Sequence, residues 1–329
     1  MQDELQLLAD QAVWTVVPIP SPKHNIVGCK WVYKIKRDAA GEISRYKARL
    51  VAQGYSQQPG TDCDEIFSPV VRYDSLRLLI ALSISLGWKQ PDQLDIKGAF
   101  LYGSRNEEIY MKLPPGYEVT GSSVRLNKSI YGLKQSPRQW YQRLTGFLLP
   151  LGFVTANFDS CVLIHKDYQL IVAIYVDDIT LAGPDRPQRD NLKKLLKEEF
   201  EFSDLGPLTW LLGIQVEWQE DSVTLSQRTY IDQLLVRFGM NACNPISLPL
   251  DPNKFKYLLQ AQDGDNLADI SQYQQIVGSL MYLVIGTRPD LAFTVSALSA
   301  YSTTYGYTKT GASIFKGYTK PGTHIQKAQ

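Results

Sequence analysis

Apolar and polar residues recur along this chain at two periods, and the period assigns each run to a strand or a helix. From Trp14 to about Val71 the pattern is strand-like. There, IVGCKWVYKIKRDAAGEISRYKARLVAQGY holds two β-rich runs around Asp38-Ala39-Ala40-Gly41, which reads as a hairpin. DSLRLLIALSISLG predicts a buried helix with Asp74 as N-cap and Gly87 as its stop. QLDIKGAFLYG is an apolar run broken by one acid, and PPGYE marks a loop. SIYGLKQSPRQWYQRLTGFLLPLG opens as a turn and continues as a helix, with Pro137 tolerated in the first turn. LIVAIYVDDITLAG, Leu170 to Gly183, predicts two buried strands with Asp177 and Asp178 at the hairpin tip.

Further on, DNLKKLLKEEF places Leu192, Leu195, Leu196 and Phe200 on one helical face. WLLGIQVEWQEDSVTLSQ reads as a second hairpin turning near Glu220-Asp221. From Tyr230 onward the chain is expected to be mainly helical, with Tyr273, Ile276, Val277, Leu280, Met281 and Val284 as an apolar stripe. Residues 302–329 are rich in Ser, Thr, Gly, Tyr and Lys, with few aliphatics, and are expected to be disordered. No repeat and no clear linker divides the chain, so the elements are expected to pack as lobes of one unit.

Composition narrows the function classes only modestly. The 329 residues suffice for two or three subdomains with real cores, and 44% hydrophobic content fits a soluble globular protein. No apolar run is long enough to span a bilayer, and MQDELQLLADQAVW lacks the basic and apolar regions of a signal peptide. A net charge of +1 neither announces nor excludes a nucleic-acid binder, because such binding needs a local basic surface. Cys29, Cys63, Cys161 and Cys243 are scattered and the histidines number three, which argues against zinc.

The acids carry the chemistry. Two like charges ~4 Å apart repel by roughly 4 kcal/mol at an effective dielectric of ~20, so Asp177 and Asp178 need a cation, a shared proton or water. Alone, an Asp-Asp pair reads more readily as a solvated turn, and the apolar flanks and the other motifs weigh against that. If Asp95 lies on a neighbouring strand, three carboxylates meet at one sheet edge and make a hard-oxygen site suited to two Mg²⁺ ions. Lys30, Lys34, Lys36, Arg37, Arg45, Lys47 and Arg49 crowd the N-terminal hairpin. Alternation puts Arg45, Lys47 and Arg49 on one strand face, opposite to Tyr46, Ala48 and Leu50. That cationic face suits a triphosphate or a nucleic-acid backbone, and by itself suits plain solvent as well. In YGLKQSPRQW a glycine turn enters a helix, with Lys134 and Arg138 supplying charge.

Taken in order, KWVYKIKRDAAGEISRYKARLVAQGYSQ, FSPVVRYDSLRLLIAL, LDIKGAFLYG, EEIYMKLPPGY, LNKSIYGLKQSPRQWY, YVDD, LGIQV and VGSLMYLVIGTRPDLAFTVSALS resemble the reverse transcriptase of copia-type LTR retrotransposons. The resemblance covers Trp14 to about Tyr301. It implies an α+β right-hand polymerase with fingers, a palm built on a small antiparallel sheet, and a helical thumb. Residues 1–13 would be a leader, 14–90 and 106–140 fingers, 91–105 and 141–205 palm, and 206–301 primer-grip hairpin and thumb. RNA- and DNA-templated DNA synthesis from a primer would follow, with dNTPs and Mg²⁺ or Mn²⁺.

By the same resemblance, Asp95, Asp177 and Asp178 hold two metal ions, with the Ile96 carbonyl as an extra ligand. Lys47 and Arg49 meet the triphosphate, and Phe100 is the ring that rejects a 2′-hydroxyl. Gly132, Lys134 and Gln135 lie near template and nucleotide. Gly98 stands where relatives carry a slightly larger residue. The parent polyproteins also carry integrase and RNase H, neither of which is seen in this sequence. Residues 302–329 hold no acid, so RNase H activity is expected to be absent. Such proteins work in cytoplasmic particles and the nucleus, away from membranes, and a homo-oligomer is compatible with the resemblance. Two other readings compete: a silent relic that folds and at most binds nucleic acid, and a different two-metal enzyme such as a nuclease.

Overall fold

The computed structural model describes residues 1–37, 42–104, 107–117, 119–244, 249, 270–300 and 323–326. The architecture is α+β, as expected, and the chain divides into two compact units. The first comprises Met1–Ser75 and Pro91–Gly206, the second Leu76–Gln90 and Pro207–Gln329. Residues 76–90, expected in the fingers, belong instead to the second unit.

A six-stranded sheet organises the first unit. Its order is Phe202–Pro207, Asp92–Ile96, Asp178–Ala182, Ile171–Tyr175, Asp159–His165 and Phe153–Ala156. Ile171–Tyr175 and Asp178–Ala182 are buried almost throughout, which explains their unbroken apolar runs. Trp140 and Phe200, each 1% exposed, pack edge-to-face at 5.3 Å beside this sheet. Phe200 was expected on the face of helix Arg186–Glu199; it follows that helix in extended backbone. Asp159, which is buried, accepts from the Arg72 backbone N–H at 2.9 Å and the Ser75 hydroxyl at 2.6 Å. It thereby satisfies the start of helix Tyr73–Ser85, the role expected of Asp74, which lies within the first turn.

The basic hairpin forms as predicted, Cys29–Arg37 pairing antiparallel with Ile43–Ala52. Its turn, Asp38-Ala39-Ala40-Gly41, lies outside the described residues. Residues expected to be a leader fold as helix Gln2–Asp10, whose Leu8 is 2% exposed within the same core as Val27, Leu50 and Val124. That stretch is an integral part of the first unit.

In the second unit, Ile214–Trp218 and Ser222–Ser226 make the predicted hairpin. Tyr273, Ile276, Val277 and Leu280 are buried on helix Ile270–Gly286, as the stripe implied. Met281 is exposed, and Leu283 takes the buried place instead, three positions after Leu280 on the helical period. Of residues 302–329, expected to be disordered, Thr323–Gln326 form a strand against Ser222–Ser226, and the rest lie outside the described residues. The four cysteines are free. Among the described residues, no helix is long and apolar enough to cross a membrane.

Candidate active site

Strand pairing brings the acids together. Asp178 is the direct cross-strand partner of Asp95, and Tyr175 pairs with Asp178 across a tip made of Val176 and Asp177. Directly opposed residues on one sheet have Cβ atoms about 4.5–5.5 Å apart, so Asp95 and Asp178 are neighbours by construction. The Ile96 backbone N–H donates to the Asp177 carbonyl at 2.8 Å and ties the tip to the neighbouring strand. Three carboxylates, contributed from positions 95, 177 and 178, therefore share one sheet edge.

The tip is strained. Val176 has φ +54°, which a β-branched residue rarely adopts, at the first of two central hairpin residues, where a type II′ turn takes glycine. The Trp140 indole N–H donates to the Val176 carbonyl at 2.6 Å and holds that conformation from the core.

Electrostatics report the crowding. The Asp178 carboxyl is pushed up to about 6, first by burial and then by the charges of Asp177 and Asp95, while a hydrogen bond from Gln93 pulls it down. Among the described residues no ion pair neutralises Asp177 or Asp178, and no three acid, His or Cys side chains close around one point at ligand distance. The acids thus line an edge rather than a finished cage. Their donor chemistry and mutual repulsion still suit a hard divalent cation, whose charge would relieve what burial and proximity impose.

Facing the acids is the cationic strand. A cleft of about 630 Å³ is lined by Asp95 and Asp177 together with Lys34, Arg45, Lys47 and Arg49. Lys34 pairs directly opposite Lys47 across the hairpin. Like charges placed so destabilise a ribbon, and a polyanion would offset the cost. Glu4, from the N-terminal helix, also lines the cleft; its carboxylate accepts from the Leu50 backbone N–H at 3.4 Å. Burial raises the Glu4 carboxyl, against the pull of that N–H, Arg49 and Lys47. Nothing in the hydrophobic pattern singled out this competing acid.

The remaining predicted residues distribute unevenly. Phe100 is half-buried and packs edge-on to Tyr131, ring centroids 4.8 Å apart, and is not among the residues lining the cleft. Gly132, at φ +92°, is needed for a backbone approach, but to the chain itself: a Cβ there would drive into the Ala52 carbonyl. Gln135 is 1% exposed, accepts from the Gln57 amide at 3.0 Å and donates to the Asp62 carbonyl at 2.8 Å. Lys134 donates its ammonium to the Gln57 carbonyl at 3.4 Å. Expected beside nucleotide, Gln135 is instead occupied in tying the turn to residues 57–62. Gly98 sits at φ +62°, ψ +36°, a left-handed position that glycine takes without strain. Tyr131, which sequence reasoning passed over, lines the cleft with the Arg49 guanidinium 4.6 Å from its ring centre. Its place beside the glycine of YGLKQSPRQW was the available signal.

The family model described as reverse transcriptase (RNA-dependent DNA polymerase) matches residues 11–252. This chain belongs to the reverse transcriptase family. It is related to the Pol polyproteins of copia-type retrotransposons. The retrovirus-related Pol polyprotein from transposon TNT 1-94 of Nicotiana tabacum is 39% identical over 313 residues, covering 92% of this chain and 23% of that protein. The corresponding polyprotein from transposon RE1 of Arabidopsis thaliana is 37% identical over 306 residues, covering 92% and 20%. The chain thus spans about a quarter or less of the length of these relatives. A foamy viral protease-reverse transcriptase solved in complex with double-stranded DNA is 13% identical with a TM-score of 0.45, covering 96% of this chain and 46% of that one, a likeness too slight to argue from.

Proposed function

We propose that this chain is an RNA-directed DNA polymerase module that extends a primer 3′-hydroxyl on an RNA or DNA template with dNTPs. The observation that carries the reading is the pairing of Asp95 with Asp178, together with a cleft that Asp95 and Asp177, but not Asp178, line with Lys47 and Arg49. Anionic and cationic walls of that kind suit a reaction in which a triphosphate is held while its α-phosphorus is attacked.

In this reading Asp95, Asp177 and Asp178, with the Ile96 carbonyl, would hold two Mg²⁺ or Mn²⁺ ions, which would supply charge neutralisation for the triphosphate and acidify the attacking hydroxyl. Lys47 and Arg49 grip the β- and γ-phosphates as the primer 3′-hydroxyl gives its proton to solvent and its oxygen forms a bond to the α-phosphorus. The bond to the bridging oxygen breaks, and pyrophosphate departs toward the cationic strand. Phe100 sets the sugar preference, and the wall of cations contacts backbone phosphates without reading sequence. Fingers, palm and thumb keep in this reading the division given above, less residues 76–90, which go with the second unit, and with residues 1–13 added to the fingers. Work in a cytoplasmic particle and the nucleus follows from the family.

The test is primer extension on poly(rA) with oligo(dT), dTTP and Mg²⁺ or Mn²⁺. Extension by the wild-type chain and its loss in Asp177→Asn are expected. Absent wild-type extension, with tight salt-sensitive duplex binding retained, would refute the polymerase reading in favour of a silent relic.

A further inference from the structure

The strand that carries Asp95 is held from behind by an ionic network that the chemistry leaves unused. Asp92, three positions before Asp95 on strand Asp92–Ile96, meets the Arg189 guanidinium at 3.1 Å and the Lys193 ammonium at 3.1 Å. Lys193 also reaches Asp204 at 2.9 Å, on the neighbouring strand Phe202–Pro207, so one ammonium joins two adjacent strands. We propose that Arg189 and Lys193 are positioning residues for the acids of the cleft, fixing from the back of the sheet the register that sets Asp95 opposite Asp178. The inference rests on the polymerase reading above and extends it to residues that reading does not employ.

Stability alone does not account for the network. Arg189 is 2% exposed, and Asp92 is buried with it. Desolvating such a pair costs about as much as its attraction returns, and apolar side chains of similar volume often stabilise a fold at least as well. Register is what the pair decides. Along the strand, Asp92, Leu94 and Ile96 are buried and alternate with Gln93 and Asp95. A slip of one residue would drive Gln93 and Asp95 into the core, and alternation by itself forbids it. Alternation does not forbid a slip of two. Leu94 would then take the place of Asp92, Ile96 that of Leu94, and Asp95 would face Thr180 in place of Asp178. The backbone ladder re-forms after such a shift, but Asp92 would travel about 6.7 Å from Arg189 and leave a buried cation behind. The helix that supplies this cation is itself anchored, since Leu192 and Leu196 are buried on Arg186–Glu199. Arg189 and Lys193 stand four positions apart on it, so both meet the same carboxylate. Asp204 is fixed in turn, its carboxylate accepting the Gly206 N–H at 2.9 Å. Asp95 and Asp178 repel across their paired strands, which favours any shift that parts them, and the network opposes that shift.

Positioning and stability separate in one variant. Asp92→Leu combined with Arg189→Met replaces the ion pair with apolar side chains. Tm, amide hydrogen exchange across residues 93–97, and Mn²⁺ binding by electron paramagnetic resonance without nucleic acid are read on it and on wild type. Primer extension on poly(rA) with dTTP is measured beside them. The double variant is expected to melt no more than about 3 °C below wild type. It is expected to exchange residues 93–97 about tenfold faster, to bind Mn²⁺ about tenfold more weakly, and to lose about tenfold in kcat with the KM for dTTP within about threefold. Lys193→Met cuts the link between the two strands and is expected to show the same pattern at about threefold. It decides the matter should the double variant not fold. Wild-type exchange and Mn²⁺ binding in a folded variant would overturn the proposal. So would losses that come only with a larger fall in Tm, since those mark a pair that merely stabilises. Should the wild-type chain extend no primer, the polymerase reading fails, and exchange and Mn²⁺ binding decide alone. Should it bind no Mn²⁺ either, exchange decides: faster exchange at an unchanged Tm supports the register lock, and equal exchange overturns it.

Discussion

Replacing Asp178 with Asn should stabilise the metal-free protein at neutral pH while removing its chemistry. The Asp178 carboxyl titrates near 6 in the folded chain against an ordinary value of 3.8. The folded state therefore keeps a proton that the unfolded chain has already released between those two values. By linkage, raising the pH through that window destabilises the native state, and the cost is fully present above about pH 6 and absent below 3.8. A shift of this size corresponds to about 3 kcal/mol at 1.36 kcal/mol per pH unit. Asp178 is only partly buried, so solvent screening reduces the figure to about 1–1.5 kcal/mol. For a domain of 150–250 residues that is roughly 2–6 °C in Tm. Asn keeps an oxygen for Gln93 and removes the charge facing Asp95 and Asp177. Thermal melts of both proteins in EDTA at pH 4 and pH 7.5 provide the assay. The variant should melt at about the wild-type temperature at pH 4 and several degrees higher at pH 7.5. Added Mg²⁺ at pH 7.5 should raise the wild-type Tm more than that of Asp178→Asn. A difference between the proteins that is independent of pH would refute the claim that these acids repel one another across paired strands.

Gly132→Ala should cost at least about 2 kcal/mol, combining a disfavoured positive φ with a Cβ driven into the Ala52 carbonyl; a melt within 1 °C of wild type would contradict it. Gln135→Leu should cost about 1–3 kcal/mol by leaving its buried partners unsatisfied, and should leave the KM for dNTP within twofold. A stable Gln135→Leu variant with a raised KM would return Gln135 to the nucleotide. Glu4→Gln removes a carboxylate that competes for Lys47 and Arg49, and should lower the KM for dNTP by about two- to fivefold at low salt, within the worth of a partly screened ion pair. An unchanged KM across salt concentrations would show that no such competition exists.

What the linear order of residues determined was the class of structure and the identity of the acids. Short β-branched runs, alternating in Cys29–Ala52 and Ile214–Ser226 and unbroken in Ile171–Ala182, bury themselves as strands, so these hairpins were legible from local pattern. A pair of acids between two such runs had to sit at a tip. Contacts far apart along the chain are decided otherwise, because a period says which face is apolar and not which strand it will meet. The register that sets Asp95 opposite Asp178, the Glu4 carboxylate brought to the cationic strand, and the contacts of the Tyr131 ring with Arg49 and with Phe100 exist only once the sheet and hairpin have packed. Packing likewise turned Gln135 inward, since a buried amide must satisfy its hydrogen bonds with whatever backbone the fold supplies, here the Asp62 carbonyl seventy-three positions earlier.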